Sequence, residues 1–431
     1  MKKHQNSIVL ESVDPSLPVR KETTEFSAIL YSRGKSIYLL ILMLISVNFF
    51  HFKPASSLTN QDVCLVLFFL WMLVGIVVYK PRKLFFSIVV KSWYWPIIPV
   101  WLGVFISFFA AKELYDQSFV TSFITSRKML TMLVLPVLGV VKPKIKDLER
   151  ATIWFSLILL AFAILDAIGV PIIDRSFFVL VFKPDMEVID EDSFVMCLPG
   201  FHWVAMALFF YLHKLKKNLS VRNLAGCIFF ISAIFLLQNR SMLAVSAVLF
   251  GYVLLTLKTN NKKQTIVFRS FSVILLLAMV AASMPQLIKL ATETTTQLGS
   301  DDYNRILAYN YFLFEACPSF IYYLTGMGFI SDKASSIMMD LMESGIFNSD
   351  VGFIGYWNYY GIIPIIAFCV LIYQALKKNT PFYVKANGLL ILFGSITLSC
   401  FNLPDKILWL CMFIYMIYYK PKQNNAQSLS V

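Results

Sequence analysis

Between Met284 and Asp350 the chain reads MPQLIKLATETTTQLGSDDYNRILAYNYFLFEACPSFIYYLTGMGFISDKASSIMMDLMESGIFNSD. It is the only long interval between two apolar runs. A connection that merely crosses solvent needs few residues, and a longer one is usually functional or disordered. The aromatic density of YNYFLFEA and FIYYLTGMGFI argues against a solvated coil. The stretch therefore reads as a folded extracytoplasmic cap over a membrane bundle.

The rest of the chain supplies the bundle. Its 431 residues are 58% hydrophobic with a mean hydropathy of +0.69, outside the range of soluble globular proteins. Apolar runs of about the length needed to cross hydrocarbon recur along the chain. About twelve can be counted, at 36–53, 63–79, 93–111, 122–141, 151–171, 195–213, 223–238, 241–257, 268–288, 351–375, 386–402 and 404–419. The expected fold is an all-α integral membrane protein of about 12 transmembrane helices, with one large helical periplasmic loop between spans nine and ten. Residues 1–35 form a polar cytoplasmic N-terminal tail without the apolar core of a signal peptide. Residues 36–420 form the polytopic domain, including the loop 289–350, and 421–431 form a cytoplasmic C-terminal tail.

Charge orients the bundle. With the N-terminus in the cytoplasm and the sides alternating, 27 of the 38 Lys and Arg fall in cytoplasmic segments. About 19 of the 25 Asp and Glu fall on the other side. This is the positive-inside distribution. A net charge of +13 spread over short loops is a topology signal, not a patch for nucleic acid. The seven cysteines have no CxxC or Cys/His spacing that would hold zinc, so neither a metal nor a cofactor is expected. Cys197 and Cys317 share the oxidising side, where either a bridge or two free thiols is open.

Several polar groups stand at outer mouths of spans. Arg127, with Ser126 and Lys128, opens span four. A guanidinium there either reaches the headgroups or faces a cavity as an anion ligand. The acidic loop Asp185–Asp192 reads as a solvated rim. Span six opens with Leu198-Pro199-Gly200-Phe201-His202-Trp203, where His202 is either a satisfied structural residue or a proton-transfer or sugar-binding group. Gln238-Asn239-Arg240-Ser241 is a tight outer turn. Arg240 needs an anionic partner there, either a loop carboxylate or the phosphate of a lipid-linked substrate. In the loop, Asp301-Asp302-Tyr303-Asn304-Arg305 starts an amphipathic helix over 306–316 that Pro318 ends, and its leading acids suit the helix dipole. Thr325-Gly326-Met327-Gly328-Phe329 makes a glycine turn, and residues 334–344 form a second helix. Asn348-Ser349-Asp350 then leads into span ten, which carries Trp357, Asn358, Tyr359, Tyr360 and Gly361 at its mouth.

These motifs resemble, in order and sidedness, the O-antigen ligase and repeat-unit polymerase superfamily, closest to its polymerase (Wzy-type) branch. Pro199-Gly200-Phe201 resembles the family's Gly-Phe stretch, and Gln238-Asn239-Arg240-Ser241 its Ser-Arg-Ser/Gly turn. Asn304-Arg305, Pro318 and Gly326-Met327-Gly328 resemble the Arg…Pro…Leu-Gly-x-Gly pattern of the large loop. Asn348-Ser349-Asp350 with Gly361-Ile362-Ile363-Pro364 resembles its His-Asn-x-x-Leu…Gly-Leu-Ile-Gly region. The match covers roughly residues 195–375. Two departures stand out. The Arg before the span-six glycine is replaced by Met196 and Cys197, and the loop lacks the ligase histidine.

The resemblance implies metal-independent, inverting transfer between undecaprenyl-pyrophosphate-linked glycans, donor and acceptor, at the periplasmic face of the bacterial inner membrane. A chain-length regulator protein is an expected partner. A diphosphate leaving group gathers negative charge, so Arg240 and Arg305, with Arg127 a third, are the expected clamp. Asp350 and then His202 are the candidate bases for the acceptor hydroxyl. Tyr303, Tyr309 and Tyr311 either stack on sugar or pack the cap. Two other functions stay open. A ligase moving glycan to lipid A core would need the missing histidine. A lipid-linked oligosaccharide flippase would carry a polar path and internal repeats, which the sequence does not show.

Overall fold

The computed structural model describes residues 19–49, 57–79, 95–167, 200–236, 240–257, 304–331, 351–395 and 403–419, with isolated positions between 263 and 288 and at 344 and 346. Among them there is no strand. Backbone polar groups with no water to bond must be satisfied within the segment, so an apolar run becomes a helix. The first half comprises α1 (Val19–Ser46), α2 (Ser57–Tyr79), α3 (Ile97–Tyr115), α4 (Phe119–Thr125), a 3-10 segment (Arg127–Leu133), α5 (Val134–Val141) and α6 (Ile145–Ala167). There follow α7 (Phe201–Lys217), α8 (Val221–Leu236) and α9 (Arg240–Thr256). The loop contributes α10 (Asn304–Asn310), a π-helical turn (Tyr311–Glu315) and α11 (Phe320–Thr325). The chain then forms α12 (Gly352–Tyr360), α13 (Ile362–Leu376), α14 (Phe382–Gly394) and α15 (Pro404–Tyr418).

Every expected apolar run except the ninth overlaps described helix in part, with 195–199 and 396–402 among the portions outside the described residues; the ninth, 268–288, lies almost wholly outside them. Two stretches, Asp62–Tyr79 and Ile97–Tyr115, are long and apolar enough to cross a membrane alone. Phe119–Thr125 with Arg127–Val141 makes a third if that pair, bent by 62°, is one span. Several other apolar helices, such as α9 and α13, are shorter than the roughly 20 residues a full crossing takes.

The structure departs from the expected boundaries in three places. α1 already begins at Val19, inside the expected tail 1–35. The stretch KETTEFSAIL contains no Pro or Gly, so nothing in it stops a helix running back from the apolar half. Span four is broken at Ser126. Span ten is broken at Gly361, whose φ of +75° ends α12. The loop helix expected over 306–316 is α10 plus the π turn and ends before Pro318. Of the expected second helix, 334–344, only position 344 is described.

α7 and α15 form the centre. Residues 202–210 and 407–416 are buried without interruption, as expected of helices apolar on every side. α2 and α3 instead each turn an apolar stripe outward, with Val66, Leu70, Leu73 and Val77 exposed on α2.

The bundle has two distinct ends. At one, Lys35 Nζ donates to the Lys142 carbonyl (3.2 Å) and Tyr415 Oη to the Pro143 carbonyl (2.8 Å). Lys214 pairs with Glu149 there. At the other, Gln117 binds the loop through Phe329 O (3.1 Å) and Ser331 N (2.9 Å), and Arg127 meets Asp62.

Candidate functional site

The loop is clamped onto the bundle by backbone. The amides of Met327 and Gly328 donate to the carbonyls of Asn358 (2.8 Å) and Tyr359 (2.9 Å). Gly326 and Gly328 have φ of +76° and +79°, a region that a residue with a Cβ rarely enters. They also leave no room. A Cβ on Gly328 would stand 2.6 Å from Ala111 Cβ and 2.8 Å from Ser107 O, and one on Gly326 2.4 Å from Tyr359 O. Side chains add to the clamp: Trp357 Nε1 donates to Tyr323 O (2.5 Å) and Tyr323 Oη to Leu313 O (2.6 Å). Asn358 Nδ2 lies 3.4 Å from Cys317 Sγ, and its Oδ1 is buried without a partner. The glycine turn thus joins α3 to α12.

His202 is on the second residue of α7, just after Gly200, whose φ of +86° makes the entry turn. Its Nδ1 stands 3.9 Å from Asp405 Oδ2, and both side chains are almost wholly buried. That separation is too long for a hydrogen bond. Asp405 lies in the first turn of α15 after Pro404, where a carboxylate suits the helix dipole. The rings of Trp203 and Trp409 lie 5.0 Å from the imidazole. Trp409 is held by Asn387 Oδ1 (3.1 Å). His202 Nε2 and Trp203 Nε1 are buried with no hydrogen-bond partner. The imidazole is thus packed between two indoles, with its Nε2 unengaged and a carboxylate beyond hydrogen-bond reach of its Nδ1.

Arg127 is engaged locally. Its Nε donates to Asp62 Oδ1 (2.7 Å) and its Nη1 to the Ile124 carbonyl (2.8 Å). Both partners of the ion pair are partly exposed. It lies on the same side of the bundle as His202. α15 passes the broken span with Cys411 beside Met132 O and Tyr415 beside Pro143 O, so Asp405 points toward the Arg127 end.

The other expected site residues are less fully described. Arg240 begins α9 and Arg305 is the second residue of α10, but their side chains lie outside the described residues, as does the whole of Asp350. Tyr303 lies outside too, whereas Tyr309 and Tyr311 are half-buried in the cluster around Phe312 and Val351, in a packing role. Cys197 is not described, and Cys317 is a free thiol. Among the described residues no three His, Cys, Asp or Glu side chains converge as metal ligands would.

Sequence reading passed over Asp405, which it left as a polar residue at an outer turn. The available signal was its place at the mouth of span twelve, on the same side as His202. No family model matches the chain, and no curated protein matches it in sequence.

Proposed function

We propose that this chain is a repeat-unit polymerase of the Wzy type. It would join undecaprenyl-pyrophosphate-linked oligosaccharides at the periplasmic face of the bacterial inner membrane, with twelve spans and both termini cytoplasmic. The observation that supports this reading best is that a clamped glycine-turn loop and the buried His202–Asp405 pair stand at the same end of the bundle. The motif order described above matches such an enzyme. In the proposed reaction Arg240 and Arg305 neutralise the charge that develops on the leaving diphosphate. The acceptor hydroxyl gives its proton to Asp350 or to His202 as its oxygen attacks the anomeric carbon and the glycosidic bond to phosphate breaks.

The test is a deletion strain analysed for surface glycan. Core capped with a single repeat is expected, with the ladder restored by the wild-type chain. A full ladder in the deletion strain would remove the polymerase reading. Finished glycan held on the lipid carrier would instead point to ligation.

A further inference from the structure

Among the described residues, the loop carries an apolar face that is exposed. Its inward side chains are well seated: Phe312 joins the cluster with Ala308 and Val351, and Tyr322 packs with Ala110 and Met327. The outward ones are not. Phe314 is 75% exposed, Phe320 74%, Ile321 52% and Leu324 41%. The segment that carries them is firmly tied by Tyr323, Trp357 and the glycine turn, so it cannot fold these groups away by itself. Apolar surface is driven out of water, and four such side chains in a fixed segment call for a constant neighbour.

Depth identifies the neighbour. α11 packs on α3 and α13, alongside the last turns of α3 and not beyond its end. Tyr322 touches Ala110, and the chain then descends so that Gly328 abuts Ser107 and Ala111. Leu324 O lies where a Cβ on Gly361 would be, at the break of span ten. All these α3 positions are inside Ile97–Tyr115, a stretch able to cross a membrane. Its outward stripe, Ile98, Leu102, Phe105 and Phe109, is exposed along the whole length. On α13 Ile366 is exposed as well. The face of α11 therefore stands beside the lipid-facing stripe of α3, at the level where that helix ends in the exposed Lys112 and Glu113.

We infer that the segment Phe314–Leu324 lies in the outer-leaflet interface, with Phe314, Phe320, Ile321 and Leu324 covered by the acyl chains of bilayer lipids and the exposed Glu315 at the headgroups. The described part of the loop is then a membrane anchor, sunk beside α3 up to the glycine turn. Apolar side chains of an interfacial segment bury about 5–10 Å into the headgroup and acyl boundary, which matches a helix level with Ala110.

The experiment uses the full chain in its native membrane. The photoreactive residue p-benzoylphenylalanine is placed singly at position 320 or 321, with position 102 as the hydrocarbon reference and position 218, exposed beyond the end of α7, as the aqueous one. After irradiation the intact protein is weighed by mass spectrometry. Phospholipid adducts are expected at 320 and 321 in a yield within about threefold of position 102, and none at 218. Absence of lipid adducts at 320 and 321 while 102 gives them overturns the inference. So does a cross-link at those positions to a second copy or to another protein. The larger ring replaces an exposed residue at both sites, so if the chain with position 320 replaced fails to reach the membrane, position 321 decides. The readout does not involve polymer formation, so its failure and that of the enzymatic reading are separable.

Discussion

His202 Nδ1 lies 3.9 Å from Asp405 Oδ2, across the mouths of two helices that are far apart in sequence and both at the centre of the bundle. Both side chains are almost wholly buried, so the carboxylate acts on the imidazole through space and not through a hydrogen bond. Under the proposed function Asp405 is a positioning residue that acts through its charge on His202. Asp405→Asn keeps the shape and an oxygen acceptor but removes the charge. Polymer made per unit of folded protein is expected to fall by about 10²-fold or more, the span of general-base effects, with membrane protein level unchanged. Polymer at the wild-type level from Asp405→Asn would assign the pair to packing alone.

Gly328 and Gly251 make a matched test of the loop clamp. Gly328→Ala places a Cβ at positive φ, 2.6 Å from Ala111, and is expected to destabilise by at least the 1–2 kcal/mol or so of left-handed strain. Gly251 has nothing within 4 Å of the added atom, and Gly251→Ala in α9 is expected to be neutral or stabilising by up to about 1 kcal/mol. Thermal unfolding of both variants in one detergent checks the contrast. Equal midpoints would mean that the turn is not seated against α3.

Arg127 should separate from Arg240 and Arg305. Arg240→Ala and Arg305→Ala are each expected to abolish polymer while leaving the protein in the membrane. Arg127 is already paired with Asp62 in a partly exposed position, where such pairs are worth about 0–1 kcal/mol. Arg127→Ala, Asp62→Ala and the double variant are therefore expected to lie within about 1 kcal/mol of one another in stability. A double-mutant coupling energy above about 2 kcal/mol would show that the pair matters more than its exposure suggests.

Cys317 offers a pH test of loop burial. Burial pushes its thiol up to about 11, and the thiolate is the form that alkylates. Maleimide labelling of Cys317 is expected to rise about tenfold per pH unit from pH 7 to pH 10, without levelling at the usual thiol value. The sign for stability follows. A pKa raised in the folded state contributes stability that is present below the unfolded value and is lost as pH rises through about 11. A labelling rate that levels near pH 8.5 would place Cys317 in water.

Much of the helix pattern was legible because hydrocarbon length and backbone satisfaction leave an apolar run one conformation. The loop helix was readable from Asn304 to Pro318 because its stop signal is local. The breaks at Ser126 and Gly361 were not, since a polar residue or a glycine inside an apolar run is tolerated as often as it bends. The candidate site was legible in part. His202 and Arg127 could be named from their place at span mouths, but the partners Asp405 and Asp62 are remote in sequence, and no spacing rule links them.

Hydropathy by itself determined an all-helical chain, because an apolar run is a property of a single segment in its solvent. Tertiary structure alone decided that Asp405 meets His202, that Asp62 engages Arg127, and that Gly326 and Gly328 seat the loop against α3 and α12. Those outcomes depend on which helix ends are brought within a few ångströms of each other, and only the packing of the whole bundle sets such distances.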